Sequence, residues 1–186
     1  VQGFKARDYV ANRKNLKLMS TAVRLGMGAL HLAWRGSQLA EHVDPERLGI
    51  FVGSGTAVGR TEDLVPAIEK CFNNDKFDAA LVGHVGMGAI NPLWLLKGLS
   101  NNVLGFGTAE LDARGINQNY CNSGVGGLQA IGEAAWAVAE DRADAIIAGA
   151  ADSATGPLHL TGFGRLGALT SAETKADVRP FDVKHD

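Results

Sequence analysis

The stretch Gly115-Ile-Asn-Gln-Asn-Tyr-Cys-Asn-Ser-Gly-Val-Gly-Gly-Leu-Gln-Ala-Ile-Gly-Glu-Ala-Ala (115–135), followed by Ala143-Asp-Ala-Ile-Ile-Ala-Gly-Ala (143–150), decides the fold. Residues from Gly115 to Asn122 read as extended. The glycines at 124, 126 and 127 then break the chain before a helix from about Leu128 to Glu140. That helix is almost entirely Ala, Ile, Gly, Trp and Val, which predicts close packing on several sides. Ala143–Ala150 is apolar throughout, as expected of a central strand covered on both faces. A strand, a close-packed helix and a second apolar strand form the repeating unit of a parallel α/β sheet.

Upstream, Leu48-Gly-Ile-Phe-Val-Gly is a short buried strand bounded by glycine. Residues 1 to about 15 read as a charged loop. Apolar positions from about Leu16 to Trp34 recur at helical spacing. Glu62–Phe72 reads as a helix, followed by a polar linker at Asn73-Asn74-Asp75, and residues 79–90 as a packed loop. Pro92 is suited to the first position of a helix reaching Val103. Pro157–Leu169 reads as helical with embedded glycines. No internal repeat is visible. The class is therefore α/β, with helices on both faces of the sheet.

The 186 residues include 24 glycines, nearly double the usual share of about 7%, and they cluster where apolar segments begin and end. Eighteen basic and 20 acidic residues give a formal charge of −2, which implies no polyanion-binding surface. Two cysteines exclude a disulfide scaffold and a paired-cysteine zinc site. No apolar run approaches the roughly 20 residues of a membrane span, and no signal peptide is visible. A soluble, reducing, cytoplasmic setting is the expectation, with no nucleic acid and no membrane as partner.

Among residues with chemistry to offer, Gly53-Ser-Gly-Thr-Ala-Val-Gly follows a strand but lacks a glycine at Val58 and any Gly-Lys-Ser/Thr, so a strand-end turn is expected there. The histidines at 31, 42, 84, 159 and 185 show no metal-binding spacing, and no metal is expected. Only His84 and His159 lie in glycine-rich apolar surroundings. Cys71 reads as a structural thiol, and Trp34, Trp94 and Trp136 as core or interface residues. Cys121 stands where an extended segment meets a helix N-terminus. There the macrodipole would stabilise its thiolate and raise its nucleophilicity; the alternative is a small buried hydrophobe at a strand end.

Several pieces, taken in order, resemble the β-ketoacyl synthases of the thiolase superfamily. They are Gly49-Ile-Phe-Val-Gly-Ser-Gly, Ile90-Asn-Pro, Asn101-Asn-Val-Leu-Gly, Ala113-Arg-Gly, Ala130-Ile-Gly-Glu-Ala, Ala143-Asp-Ala-Ile-Ile-Ala-Gly-Ala, Gly162-Phe-Gly-Arg-Leu-Gly-Ala-Leu-Thr-Ser and Arg179-Pro-Phe-Asp. The family's nucleophile is the cysteine of Ala-Cys-x-Ser-Gly, and two registers compete for it. Cys121-Asn-Ser-Gly matches by eye but needs three residues deleted before the cysteine and three restored within the helix. A gapless register from Pro92 to Asp144 puts Gly124 in the nucleophile slot and Gly126-Gly127 on the Ser-Gly pair. Three residues removed from a strand reverse its facing, because the side-chain period is two, and three added to a helix disturb almost a full turn. The gapless register is the physically simpler one.

The resemblance implies a thiolase-like fold, one half of a layered α/β/α/β/α architecture. Residues 1–186 would be the N-terminal half, lacking the first strand and the C-terminal half that supplies the family's catalytic histidines, lysine and gating loop. Gly-Val-Gly-Gly-Leu-Gln-Ala looks closest to the chain-length-factor (ketosynthase β) branch, in which the cysteine is replaced. The implied function is a non-catalytic subunit pairing with an active ketosynthase and shaping the acyl tunnel in polyketide or fatty-acyl elongation. Trp94, Gly98, Leu158 and His159 are the candidate tunnel residues, and no catalytic residue is expected in this chain. One alternative is an active β-ketoacyl-[acyl-carrier-protein] synthase condensing through Cys121; another is a thiolase-fold scaffold without a tunnel. No cofactor of its own is implied, since substrates arrive on the phosphopantetheine arm of an acyl carrier protein. The implied partners are that carrier, an active ketosynthase and the C-terminal half of the same fold. The polar run Asn117-Gln-Asn-Tyr hints at pairing with a non-identical subunit, because buried amides need partners.

Overall fold

A computed structural model describes residues 2–55, 61–170 and 182–183. Residues 56–59 of the expected strand-end turn, Ser171, Arg179-Pro180-Phe181 and His185, named above, lie outside the described residues. The chain divides into two units, Val1–Asp152 and Ser153–Asp186.

In the first unit, β1 (Leu48–Ser54) is central in a three-stranded parallel sheet, flanked by β4 (Asn117–Tyr120) and β5 (Ala145–Ala151). The register pairs Ile50 with Asn117 and Ile147, and Gly53 with Tyr120 and Ala150. β1 sorts its side chains by parity. Leu48, Ile50 and Val52 face a core with Val23, Met27 and Leu30 of α1 (Thr21–Ser37) and Val103 of α4 (Asn102–Leu111). Phe51 faces the other side, against Ala130, Ala134 and Ala137 of α5 (Gly126–Ala139). Helices thus cover both faces, as expected. The apolar strand Ala143–Ala150, however, is an edge strand among the described residues; the central one is β1.

Close backbone approach explains the glycines at one junction. A Cβ on Gly53 would lie 2.4 Å from the main chain of Gly126 and Gly127, and one on Gly127 would lie 2.8 Å from Ala150 Cβ. Only glycine lets the first turn of α5 seat on β1 and β5 at this depth.

Several elements differ from the sequence expectation. The N-terminal loop holds two 3-10 turns, Ala6–Asp8 and Arg13–Leu18, and α1 begins only at Thr21 because the Ser20 hydroxyl accepts from the Val23 amide at 3.3 Å. α2 runs Thr61–Glu69, and the polar linker after it is a two-residue hairpin joining β2 (Phe72–Asn73) to β3 (Lys76–Phe77). Asn74 and Asp75 both adopt positive φ, 49° and 59°, which such a tight turn demands and short polar side chains tolerate. The segment 79–90 forms a π turn at Val82–Gly86 and a 3-10 turn at Met87–Ala89. The helix expected from Pro92 is broken into α3 (Trp94–Gly98) and α4, and the Asn102 amide donates to the Leu96 carbonyl at 2.6 Å, satisfying an acceptor that the break exposes. α5 is buried on one face only: Leu128, Ile131 and Val138 stand exposed, and Trp136 is 69% exposed.

The second unit contains α6 (Pro157–Arg165), with Pro157 in its first turn. It stops short of Leu169 because Gly167 turns to φ +67° and the amides of Gly167 and Ala168 return to the carbonyls of Gly164 and Phe163.

Adding one methyl group should have opposite effects at two glycines. In the full-length protein, Gly53→Ala forces backbone against backbone and is expected to lower unfolding stability by about 1–3 kcal/mol. Gly105→Ala, in α4 with nothing within 4 Å of the added carbon, should be neutral or stabilising by up to about 1 kcal/mol. Denaturant midpoints of the two variants measure the difference.

Candidate functional site

The segment from 117 to 126 carries the chemistry, and the sheet sets where each side chain goes. Tyr120 pairs in register with Gly53 and meets the Phe51 ring edge-on, on the α5 side of the sheet. Asn119 pairs with Val52, whose side chain belongs to the α1/α4 core. Alternation therefore directs Cys121 to the α1/α4 side, and its contacts agree. The sulfur lies 3.4 Å from Ser54 Oγ and accepts from Asn119 Nδ2 at 3.1 Å, while Ser54 Oγ donates to Asn119 Oδ1 at 3.2 Å. Ser100, between α3 and α4, completes the cluster.

Cys121 is exposed, and its pKa is lowered from the ordinary thiol value. The Ser100 hydroxyl is the largest cause, followed by that of Ser54; slight burial opposes them and the Asn119 amide adds the least. Donors to the sulfur stabilise the thiolate over the thiol. The activation thus comes from side chains on three separate segments. α5 begins only at Gly126, five residues beyond, so the helix-terminus explanation gives way to a hydrogen-bonded one.

Between Cys121 and α5 the chain makes a sharp elbow. Ser123 has φ +51°, a 3-10 turn spans Ser123–Val125, and α5 follows directly. Gly124 sits in this turn, exposed, with nothing within 4 Å of where a Cβ would stand. Gly124 and Cys121 are thus separated by the elbow: the sulfur is held against β1 and Ser100, and Gly124 leads into the helix on the opposite face.

Two of the three amides of the polar run 117–120 find partners inside the chain. Asn117 Oδ1 accepts from the Ile50 amide at 2.9 Å, and its Nδ2 donates to the carbonyls of Gly115 and Ala113 at 2.9 and 3.2 Å. Asn119 is held by Ser54 and Cys121, as above. Only Gln118 is exposed. The amides of Asn117 and Asn119 are satisfied within the chain, so these two supply no argument for a non-identical subunit.

Trp94 and Gly98 are the first and last residues of α3, both partly buried, and the Trp94 indole Nε1 is buried without an acceptor. Leu158 and His159 lie in the first turn of α6, in the other unit, with Leu158 58% exposed. A cavity of about 200 Å³ between α1, α4, β1 and β5 is lined by apolar residues and glycine, including Gly26, Leu30, Val103 and Ala151, and by none of these four. Cys71 is buried and donates to the Ala67 carbonyl at 3.0 Å, a structural thiol. His31 is buried and meets Glu110 Oε2 at 2.8 Å. Among the described residues no helix is long and apolar enough to cross a membrane, and no group of three metal-ligating side chains occurs.

A feature the sequence reading missed is the charge asymmetry. Residues 1–35 hold seven basic residues (Lys5, Arg7, Arg13, Lys14, Lys17, Arg24 and Arg35) against one acid, Asp8, in a chain of net charge −2. All seven are exposed, and five of them lie in or beside the two 3-10 turns. A net charge taken by segment rather than for the whole chain would have found this patch.

Over residues 1–186 the sequence matches the family described as "Beta-ketoacyl synthase, N-terminal domain". It is 30% identical over 189 residues to 3-oxoacyl-[acyl-carrier-protein] synthase 2 of Coxiella burnetii, covering 98% of this chain and 42% of that protein. With a putative mitochondrial 3-oxoacyl-[acyl-carrier-protein] synthase of Schizosaccharomyces pombe it shares 25% identity, covering 96% of this chain and 40% of the relative. A crystal structure of a β-ketoacyl synthase from Burkholderia phymatum aligns with a TM-score of 0.72 at 21% identity, over 100% of this chain and 43% of that one. The ishigamide ketosynthase/chain length factor aligns with a TM-score of 0.59 at 19% identity, over 93% and 44%. These likenesses establish the thiolase-like ketosynthase fold, and the chain spans less than half the length of the relatives it matches.

The thiol cluster predicts a pH profile. Alkylation of Cys121 by iodoacetamide should show a midpoint below the ordinary thiol value of about 8.5. Ser100→Ala removes a donor that favours the anion, so the midpoint should rise toward that value. An unchanged or lower midpoint would contradict the assignment to Ser100.

Proposed function

The chain belongs to the β-ketoacyl synthase family through that family's N-terminal domain, and from this we propose that it is part of a non-catalytic, chain-length-factor-type subunit. It pairs with an active ketosynthase and shapes the tunnel that receives a growing polyketide or fatty-acyl chain. The observation that carries this is the facing of the sulfur. Cys121 turns toward Ser54 and Ser100 on the α1/α4 side of the sheet, whereas the elbow into α5 holds Gly124. Condensation in this family needs a sulfur to carry the acyl group as a thioester. A glycine at the elbow offers no atom to acylate.

The subunit's role is then one of shape and docking. In the first unit Trp94 and Gly98 on α3 are positions at which bulk would end the tunnel, since a filled core admits no further two-carbon unit. Leu158 and His159 on α6 of the second unit are candidate tunnel positions from the family resemblance alone. The exposed apolar stripe Leu128, Ile131 and Val138 on α5 fits coverage by the C-terminal half of the same fold. No resident cofactor is required: the substrate arrives on the phosphopantetheine arm of an acyl carrier protein. The exposed basic segment carrying Lys5, Arg7, Arg13, Lys14 and Lys17 suits an acidic carrier.

A second reading, an active synthase acylated on Cys121, is favoured by the exposure of that thiol and its lowered pKa. Acyl transfer separates the two. The full-length protein, in complex with its active ketosynthase, is incubated with a fatty-acyl carrier protein and each subunit is weighed intact. The acyl adduct is expected on the partner alone; a stoichiometric adduct on Cys121 would establish the active synthase instead. Trp94→Ala should lengthen the products of the complex by at least one extender unit, as read by mass spectrometry, and unchanged lengths would remove Trp94 from the tunnel.

A further inference from the structure

We infer that Glu110 is a positioning residue: through the main-chain amide of Ala11 and the ring of His31, it fixes the basic segment Ala6–Leu18 in the conformation that receives an acidic carrier. This rests on the reading above that the basic segment is the carrier's docking surface.

The segment has little internal order. Its two 3-10 turns, Ala6–Asp8 and Arg13–Leu18, are three and six residues long, and such turns are weak on their own. What holds them is contact with α1 and α4. Val10 and Met19 are buried in the core, and the Phe4 ring comes within 2.6 Å of where Gly28 would carry a Cβ. Arg24 on α1 donates to the Leu16 carbonyl at 2.8 Å. Between the turns, the Ala11 amide donates to Glu110 Oε2 at 3.1 Å, across 99 residues of chain. The same oxygen meets His31 Nε2 at 2.8 Å. One carboxylate oxygen on α4 therefore ties α1 to the midpoint of the basic segment.

This tie is costly for the fold. The His31 and Glu110 side chains are only 9% and 6% exposed, and Glu110 Oε1 is buried with no partner. Leaving a buried acceptor unbonded costs about 1–3 kcal/mol, and an apolar pair of similar volume would stabilise the α1/α4 contact at least as well. Leucine and methionine in those places could not bond the Ala11 amide. What the acid provides, and an apolar residue would not, is a fixed path for the chain between Tyr9 and Arg13, and hence fixed positions for Arg13, Lys14 and Lys17. A docking surface that is correctly arranged only part of the time binds in proportion to that fraction.

The test uses the full-length protein in its ketosynthase complex, with an acyl carrier protein as the probe. Reversing Arg13 and Lys17 together to Glu should weaken carrier binding about tenfold or more; unchanged binding overturns the docking reading itself. Glu110→Ala should raise the carrier Kd about five- to tenfold, with kcat at saturating carrier unchanged, as expected if the competent conformation falls to a fifth or a tenth of the population. Glu110→Gln keeps an oxygen for Ala11 and His31 and should restore binding to within about twofold. If the charge reversal weakens binding and Glu110→Ala does not, the positioning role is overturned and the docking surface stands. A fall in kcat alongside Kd, or no rescue by Gln, overturns it as well. Amide exchange in the unaltered complex needs no folded variant: slowing of the Ala11 amide by about tenfold or more relative to an unstructured amide supports the tie, and exchange at the unstructured rate overturns it.

Discussion

The contact between the end of β1 and the first turn of α5 governs the rest of the structure. Gly53 meets Gly126 and Gly127 main chain to main chain, and Gly127 meets Ala150 on β5. With no side chain between them, the helix sits directly on the sheet. The connection from Tyr120 to Gly126 is then too short for anything but a tight elbow, and the positive φ of Ser123 is its consequence. Seating α5 at this depth also brings Ala130, Ala134 and Ala137 onto Phe51, so the small side chains of the helix and the glycines at its start serve one contact.

Elements whose physics is local were legible in the sequence. The apolar run at 48–53, the small-residue helix and the Ala143–Ala150 strand each announce themselves within a few residues. The parallel sheet with helices on both faces follows from their alternation. Elements decided by partners far along the chain were not legible. The Asn74-Asp75 hairpin looks like a polar linker because its signal is a backbone conformation that two polar residues only permit. The break between α3 and α4 depends on the Asn102 amide reaching the Leu96 carbonyl. The amides of Asn117 and Asn119 look unpartnered in sequence, because their partners, Ile50, Ser54 and Cys121, become neighbours only when β4 lies beside β1.

The candidate site divides in the same way. That Cys121 is unusual could be read from its place at the end of an extended segment. Why it is unusual could not: Ser100 and Ser54, which do most to lower its pKa, are 21 and 67 residues away in sequence. The basic N-terminal segment was hidden for the opposite reason. The net charge of −2 averages it against an acidic remainder, and that average says nothing about a patch.

Strand parity joins these findings. In β4 the side chain of Tyr120 belongs to the α5 face and that of Asn119 to the α1/α4 face, so the next residue, Cys121, returns to the α1/α4 face with Ser54 and Ser100. A sulfur serving the elbow would have to lie past Ser123, the residue of positive φ, within the turn that leads into α5; Gly124 is the next residue in that turn. The two registers considered for this sequence, one with compensating gaps and one without, therefore differ in more than bookkeeping. They put the reactive atom on opposite sides of one sheet, and the contact with Ser54 Oγ and the hydrogen bond from Asn119 hold the Cys121 sulfur on the side away from α5.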